Sequence, residues 1–274
     1  MSDTFEMAPL AEIVAEVRWT DPSVFMLPGQ NISLSEPNNS ADEFYMRFGG
    51  VAYSKGFKRA ERLIPPGFPI PMGQVVYRYR PAEDSEDKLA RSAMWQIGPG
   101  VFAANAIPPY KSWREFSPWV EAGIGAMIET RSEKERSSHF STVSLRYIDA
   151  FTEDYLEGAT FAEFLRDKLG FKVKLPDVFN SKLKIDSDIE HIIQFSFPVE
   201  GDMTLAFSAS QGKFKGADAL IVSIQVSCDK PVNPELNFVM QKLHAARNII
   251  HDIFFEMTGS LHTLMKPTND GGVI

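Results

Sequence analysis

The chain has 274 residues, 44% of them hydrophobic, and a formal net charge of −8 at pH 7. This length and apolar content suffice to bury a core in one large domain or in two smaller ones. The acidic balance argues against a broad nucleic-acid-binding face, because such a face needs lysine and arginine to displace counterions from phosphates. No apolar run could span a bilayer and the first residues lack the pattern of an export signal, so the sequence predicts a cytoplasmic protein without a membrane segment.

The first half begins with an alternating segment that predicts a half-buried strand, with one side formed by Ile13, Ala15, Val17 and Trp19. A loop rich in Pro, Gly, Asn and Ser follows at 22–40. Ser40 and Glu43 then have the spacing of a capping box, which predicts a helix start. Further strands are predicted at 74–80 and in a hairpin at 93–107. A second capping box, Ser112 with Glu115, opens another helix.

The main basic cluster is interpreted as a solvated helix end and comprises Lys55, Lys58, Arg59 and Arg62.

The second half repeats this order of elements. A strand is predicted at 140–151, a third capping box at Thr160 and Glu163, and further strands at 191–198, 203–207 and 219–226. Asn233 is the predicted cap of the last helix. Its apolar stripe runs from Leu236 to Leu264, which predicts one long helix if it is unbroken, with Gly259 as a candidate interruption.

These similarities indicate an internal duplication. Leu145 stands 128 residues after Val17, and each begins the order apolar, Arg, aromatic, β-branched, Asp. We therefore predict an α+β fold made of two β-α-β-β-β-α units, with antiparallel sheets, helices on one face and a long C-terminal helix, similar to TATA-binding or helix-grip folds. The expected units are residues 1–136 and 137–267, followed by a flexible tail at 268–274. The repeated polar residues are interpreted as a structural corner in each unit: Arg18, Asp21, Arg146 and Asp149.

Several stretches resemble a sporadically distributed family of bacterial proteins of about this length that has no assigned activity. The resemblance rests on the segments 9–18, 95–101, 110–116 and 145–148, and on Leu243, His244, Phe255 and Thr258. It implies a shared fold and no chemistry. The patchy occurrence of the family suggests mobile genes, as in phage defence and toxin–antitoxin modules.

Candidate site residues occur in two places. Tyr110, Lys111 and Trp113 precede or open a predicted helix, whose free amides could receive an acidic group. The favoured interpretation is instead that Trp113 and Phe116 staple the helix to the sheet. His244 and His251 lie on the last helix, seven residues apart and thus too distant to share a metal ion. We expect His244 to be packed and hydrogen-bonded, and His251 to meet Asp252 or Glu256.

No motif for catalysis, metal binding or phosphate binding is found, and the single cysteine, Cys228, is expected to be buried and inert. The sequence therefore predicts no catalytic residues, no metal and no cofactor. The first interpretation is a non-enzymatic protein that binds or regulates a protein partner, with self-association left open. The alternatives are a binder of a small apolar ligand between sheet and long helix, and an enzyme with an unrecognised site.

Overall fold

A computed structural model of the chain describes residues 4–19, 39–83, 91–108, 112–131, 136–174, 176–180, 182, 189 and 191–268. The elements of the first half are β1 (Thr4–Phe5), β2 (Leu10–Trp19), α1 (Asn39–Ser54), β3 (Arg59–Arg62), β4 (Tyr77–Arg80), β5 (Ala93–Gly98), β6 (Val101–Ala106) and α2 (Trp113–Thr130). Those of the second half are β7 (Phe140–Phe151), α3 (Glu153–Leu156), α4 (Phe161–Asp167), α5 (Asp177–Asn180), β8 (Ile193–Val199), β9 (Met203–Phe214), β10 (Ala217–Cys228), α6 (Leu236–Met257), a 3₁₀ turn (Gly259–Leu261), α7 (His262–Met265) and β11 (Pro267–Thr268).

One nine-stranded antiparallel sheet runs through both halves, in the order β3-β4-β5-β6-β2-β7-β10-β9-β8. The fold is therefore α+β, with a large antiparallel sheet, seven α-helices in the described residues and a long helix near the C-terminus. The sheet crosses the predicted boundary at residue 136 through the β2–β7 pair, while the division into two units stays a prediction. A separate two-stranded sheet pairs β1 with β11.

The helices pack on one face of this sheet. Helix α6 contacts β7 and β10, α2 contacts β5 and β6, and α1 contacts β4. The predicted inner side of β2 is confirmed, since its four residues are at most 4% exposed and belong to the core: Ile13, Ala15, Val17 and Trp19. Burying these apolar side chains is the main stabilisation of such a layered fold. Polar residues at the alternate positions of β2 and β7 lie on the opposite face, which we call the helix-free face because none of the described helices contributes to its groove.

The predicted capping boxes can be compared with the structure at two positions, because the side chains of residues 39–42 are outside the described set. Ser112 caps α2, and its Oγ accepts a hydrogen bond from the Glu115 amide at 3.3 Å. Thr160 and Glu163 form the complete reciprocal box at the start of α4. Local sequence spacing thus located both helix starts.

Helix α6 is shorter than the apolar stripe indicated. Its N-cap is Glu235 rather than Asn233, because Val232 pairs with Phe140 in an antiparallel bridge that keeps the preceding backbone extended. The helix ends at Met257 and is followed by the 3₁₀ turn from Gly259, so the interruption lies at the glycine that the sequence offered as a candidate. Leu261 nevertheless remains buried, since the chain turns back onto the same core.

The edge strand β3 was not anticipated. Helix α1 ends at Ser54, and Arg59 and Arg62 lie on β3, so interpreting the basic cluster as a helix end was wrong for these two residues. No helix in the described residues is both long and apolar enough to cross a membrane.

Candidate functional site

A pocket lies on the helix-covered face of the sheet, beneath α6 and beside the start of α2. Its cavity volume is about 80 Å³, several times the roughly 10–15 Å³ that one water molecule requires. We call it the Asp149 pocket. It is lined by Thr4, Phe5, Ala8, Leu10, Ser112, Trp113, Tyr147, Asp149, Arg247, Ile250, His251 and Phe254.

Asp149 is the buried acid of this pocket. It lies on β7, opposite Leu10 of β2 and Val222 of β10, and only 3% of its surface is exposed. Its Oδ2 has no hydrogen-bond partner in the described part of the chain. Burial raises the pKa of its carboxyl from 3.8 to about 7, because the surrounding protein solvates the carboxylate poorly. A buried polar atom without a partner is costly and calls for an explanation.

Trp113 and His244 form one hydrogen-bonded unit beside the pocket. Trp113 is 7% exposed, and its Nε1 donates to Nδ1 of His244 at 2.8 Å, with the two rings edge to face. Because Nδ1 accepts this bond, a neutral His244 carries its proton on Nε2. His244 is thus hydrogen-bonded as expected, but it is exposed rather than packed, and the bond joins α2 to α6.

Arg247 and His251 bring polar groups from α6 to the same pocket. Both are partly exposed. His251 Nδ1 lies 3.3 Å from Oδ1 of Asp252, the neighbour expected from the sequence, and the Arg247 guanidinium reaches Oδ1 of Asn248 at 3.4 Å. Both side chains therefore have a polar neighbour on α6 itself.

The remaining candidates are distributed differently. Tyr110, Lys111 and Asp21 lie outside the described residues. Arg18 and Arg146 line a polar groove on the helix-free face, so Arg146 and Asp149 point to opposite sides of β7. The structural corner proposed for these residues stays a prediction.

Sequence reasoning gave Asp149 no binding role and missed Tyr147, Arg247 and the apolar lining. One signal was present: Asp149 occupies the same side of β7 as the buried Leu145 and Phe151, where an apolar residue is the norm. Tyr147 and Arg247 had no such signal, because both line the pocket only as a result of how α6 crosses the sheet.

The described residues contain no group of three or more His, Cys, Asp or Glu side chains that could hold a metal ion. Cys228 is buried, with 2% of its surface exposed. The two small hydroxyls of the pocket are already engaged, since Ser112 caps α2 and Thr4 is hydrogen-bonded to Thr268. The arrangement therefore offers a hydrogen-bonding carboxyl in an apolar pocket more readily than an activated nucleophile.

No family model and no curated protein matches the chain. Among solved structures, the RNA triphosphatase Pct1 of S. pombe is aligned over 96% of this chain and 86% of its own, at 6% identity and a TM-score of 0.11. A likeness this slight carries no argument about fold or function.

Proposed function

We propose that the protein binds a small organic cation, such as a primary amine with an apolar body, in the Asp149 pocket. The observation that carries this proposal is the buried carboxyl with an unpartnered oxygen at the wall of a mainly apolar cavity. A ligand N–H that reaches Oδ2 would supply the missing hydrogen bond and the counter-charge together. The sequence had suggested a small apolar ligand between the sheet and the long helix as an alternative, and the present proposal adds a positively charged group to that ligand.

The apolar lining supports a ligand with a hydrophobic body. Leu10, Ile250 and Phe254 contribute aliphatic and aromatic surface on two sides, and Trp113 closes a third. Small-molecule sites commonly combine such walls with one or a few polar groups that fix orientation. Since burial holds the Asp149 pKa near 7, the ligand's cation would favour the ionised carboxylate, and affinity should rise as pH increases through that value.

The test compares benzylamine with benzyl alcohol, which shares the ring but lacks the cation. Isothermal titration should show benzylamine binding that strengthens between pH 6 and pH 8 and weakens by about tenfold or more in Asp149→Asn. Asp218→Asn is the matched control, because it removes an acid on β10 that is not part of the pocket lining and whose side chain is 75% exposed. Equal benzylamine affinity in the wild type and Asp149→Asn would refute the proposal, as would an equal loss in both variants.

A second candidate function is protein binding at the outer edge of the sheet, carried by exposed aromatic surface on β8. Phe195 and Phe197 are 39% and 44% exposed, Ile192 is 72% exposed, and β8 contains no charged residue. The opposite edge, β3, carries Arg59, Glu61 and Arg62 instead. Charged side chains commonly protect an edge from added strands, and β8 lacks them.

The proposed occupant of this edge is an extended, uncharged and partly apolar segment of a cytoplasmic partner, added as a tenth strand beside β8. A bacterial defence or toxin-neutralising module would provide such a partner. Affinity capture from the host should yield a stoichiometric protein that is lost with Phe197→Glu, and the purified pair should protect the β8 amides from hydrogen exchange. The edge proposal would be refuted if the captured partner bound without protecting the β8 amides, or if it bound Phe197→Glu as well as the wild type. Neither result would bear on the proposed ligand site at Asp149.

We also propose that the chain is an internal duplication with a TATA-binding-like or helix-grip-like arrangement, within the bacterial family that it resembles. The strand order supports this, because β6, β5 and β4 extend outward from β2 as β10, β9 and β8 do from β7. The register supports it too. Glu16 and Ser144, equivalent under the 128-residue offset, are paired directly, as a twofold axis at that point requires.

A further inference from the structure

A second concave site lies on the helix-free face of the sheet, across β2, β7 and β10. Its volume is about 450 Å³, within the roughly 300–1,000 Å³ that is common for ligand pockets. We call it the Arg146 groove. It is lined by Val14, Glu16, Arg18, Thr142, Ser144, Arg146, Gln225, Ser227 and Asp229.

Arg18 shows how an arginine is satisfied in this groove. Its Nε donates to Oε1 of Glu16 at 2.6 Å and its Nη2 donates to Oε2 at 3.2 Å. One edge of the guanidinium, formed by Nε and Nη2, meets both carboxylate oxygens, which is the two-point geometry that makes arginine–carboxylate pairs strong and directional. The anion that binds Arg18 is therefore the carboxylate of Glu16, which lies two residues earlier on the same strand.

Arg146 occupies the equivalent position on β7 and lacks that partner. The residue two positions earlier is Ser144, not an acid. Its neighbours across the ladder are Val14 on β2 and Gln225 on β10, neither of which is anionic. Arg146 is partly buried and makes no hydrogen bond or ion pair with the described part of the chain.

The groove around Arg146 is polar but electrically balanced. Thr142, Ser144 and Ser227 supply hydroxyls, and Gln225 supplies an amide. Arg18 is neutralised by Glu16, and Asp229 brings a further carboxylate, which accepts a hydrogen bond from Ser227 at 3.2 Å. The fixed acids disfavour a dianion such as phosphate, whereas a single carboxylate would match the one unpaired guanidinium.

We propose that the Arg146 groove binds a ligand through a carboxylate group, held at two points by the guanidinium of Arg146 and flanked by the hydroxyls of the groove. The ligand takes the place on β7 that the Glu16 carboxylate takes on β2. The carboxylate could belong to a free small acid or to the C-terminus of a peptide, since both present the same planar anion. This site lies on the opposite face of the sheet from the Asp149 pocket and does not depend on it.

The test follows the Nε–H correlation of Arg146 by ¹H–¹⁵N NMR, with the signal assigned by its absence in Arg146→Gln. The probes are acetate, inorganic phosphate, and N-acetyl-alanylalanine with either a free C-terminal carboxylate or a C-terminal amide. Acetate and the free-acid peptide should shift this signal saturably, and the amide peptide should not. A peptide about tenfold tighter than acetate identifies a C-terminus as the ligand, and equal affinities identify a free acid.

The Arg146 variants lack this Nε–H signal, so binding to them is followed by the chemical shifts of backbone amides in the groove. Arg146→Gln should weaken carboxylate binding at least about tenfold, and Arg146→Lys, which keeps the charge but loses the two-point geometry, should fall between it and the wild type. Arg47→Gln is the charge-matched control, because Arg47 pairs only at a distance of 3.5 Å with Glu43 on α1. The proposal is overturned by unsaturable shifts, by equal affinity in Arg146→Gln, or by tighter binding of phosphate than of any carboxylate.

Discussion

Replacing Asp149 with asparagine removes a buried titrating group whose effect on stability depends on pH in a known direction. Burial raises its carboxyl pKa from 3.8 to about 7 in the folded chain, whereas the unfolded chain releases this proton near the ordinary value. Between these two values the folded state therefore holds a proton that the unfolded state does not. The free energy of unfolding consequently falls as pH rises through this window and levels off above it.

The size of this effect follows from the two pKa values. Each pKa unit corresponds to about 1.36 kcal/mol, so moving from 3.8 to about 7 costs the wild type about 4 kcal/mol. Most of that loss, about 3 kcal/mol, falls between pH 5 and pH 8, which lies within the range of the unfolding assay. The buried amide of the asparagine also changes the free energy of unfolding, but by an amount that does not depend on pH. The informative quantity is therefore how the difference in unfolding free energy between variant and wild type changes with pH.

The assay is urea unfolding followed by tryptophan fluorescence from pH 5 to pH 9, without ligand. Relative to the wild type, Asp149→Asn should gain stability steadily up to about pH 7 and then stay constant. Asp218→Asn removes an exposed carboxyl from β10 and should show no comparable trend. A flat difference for Asp149→Asn across the whole range would mean that Asp149 is solvated or paired in solution, which would remove the basis of the proposed pocket.

Three further predictions concern packing and capping. Gly123→Ala should lower the free energy of unfolding by about 1–3 kcal/mol, because its Cβ would lie 2.6 Å from a core ring atom. Gly125→Ala in the same helix meets nothing closer than 3.8 Å and should stabilise by about 0.5–1 kcal/mol; chemical denaturation checks the opposite signs. Trp113→Phe should cost about 1 kcal/mol or more, because the buried indole loses its hydrogen bond to His244 and a smaller ring fills its place less completely; an unchanged thermal unfolding midpoint would contradict this. Thr160→Ala breaks a complete capping box and should cost about 0.5–2 kcal/mol, whereas unchanged urea midpoints would show that α4 does not need its cap.

Local patterns in the sequence predicted most of the elements. Alternation in β2 identified its buried side, and the hydroxyl–acid spacings located the starts of α2 and α4. These features depend on neighbours within a few residues, so a single stretch of chain contains the information. Errors came where a distant partner intervened: Val232 is held by Phe140, which delays the start of α6.

The candidate site was only partly predictable for the same reason. Trp113 and His244 were singled out separately, but the hydrogen bond between them joins residues 131 positions apart. Arg146 and Asp149 were singled out together, and strand alternation alone places residues three apart on opposite faces. What the sequence did not contain is which face α6 would cover.

The sequence by itself thus determined the local elements and the positions of the repeated polar residues. Only the tertiary structure decided that Asp149 would be buried in a pocket beneath α6 while Arg146 would remain partly exposed in a polar groove. The physical reason is that burial and charge pairing are properties of surfaces brought together from distant parts of the chain. A carboxyl becomes unusual when a helix removes its water, and an arginine becomes a binding group when the residues paired with it on the neighbouring strands are not acids.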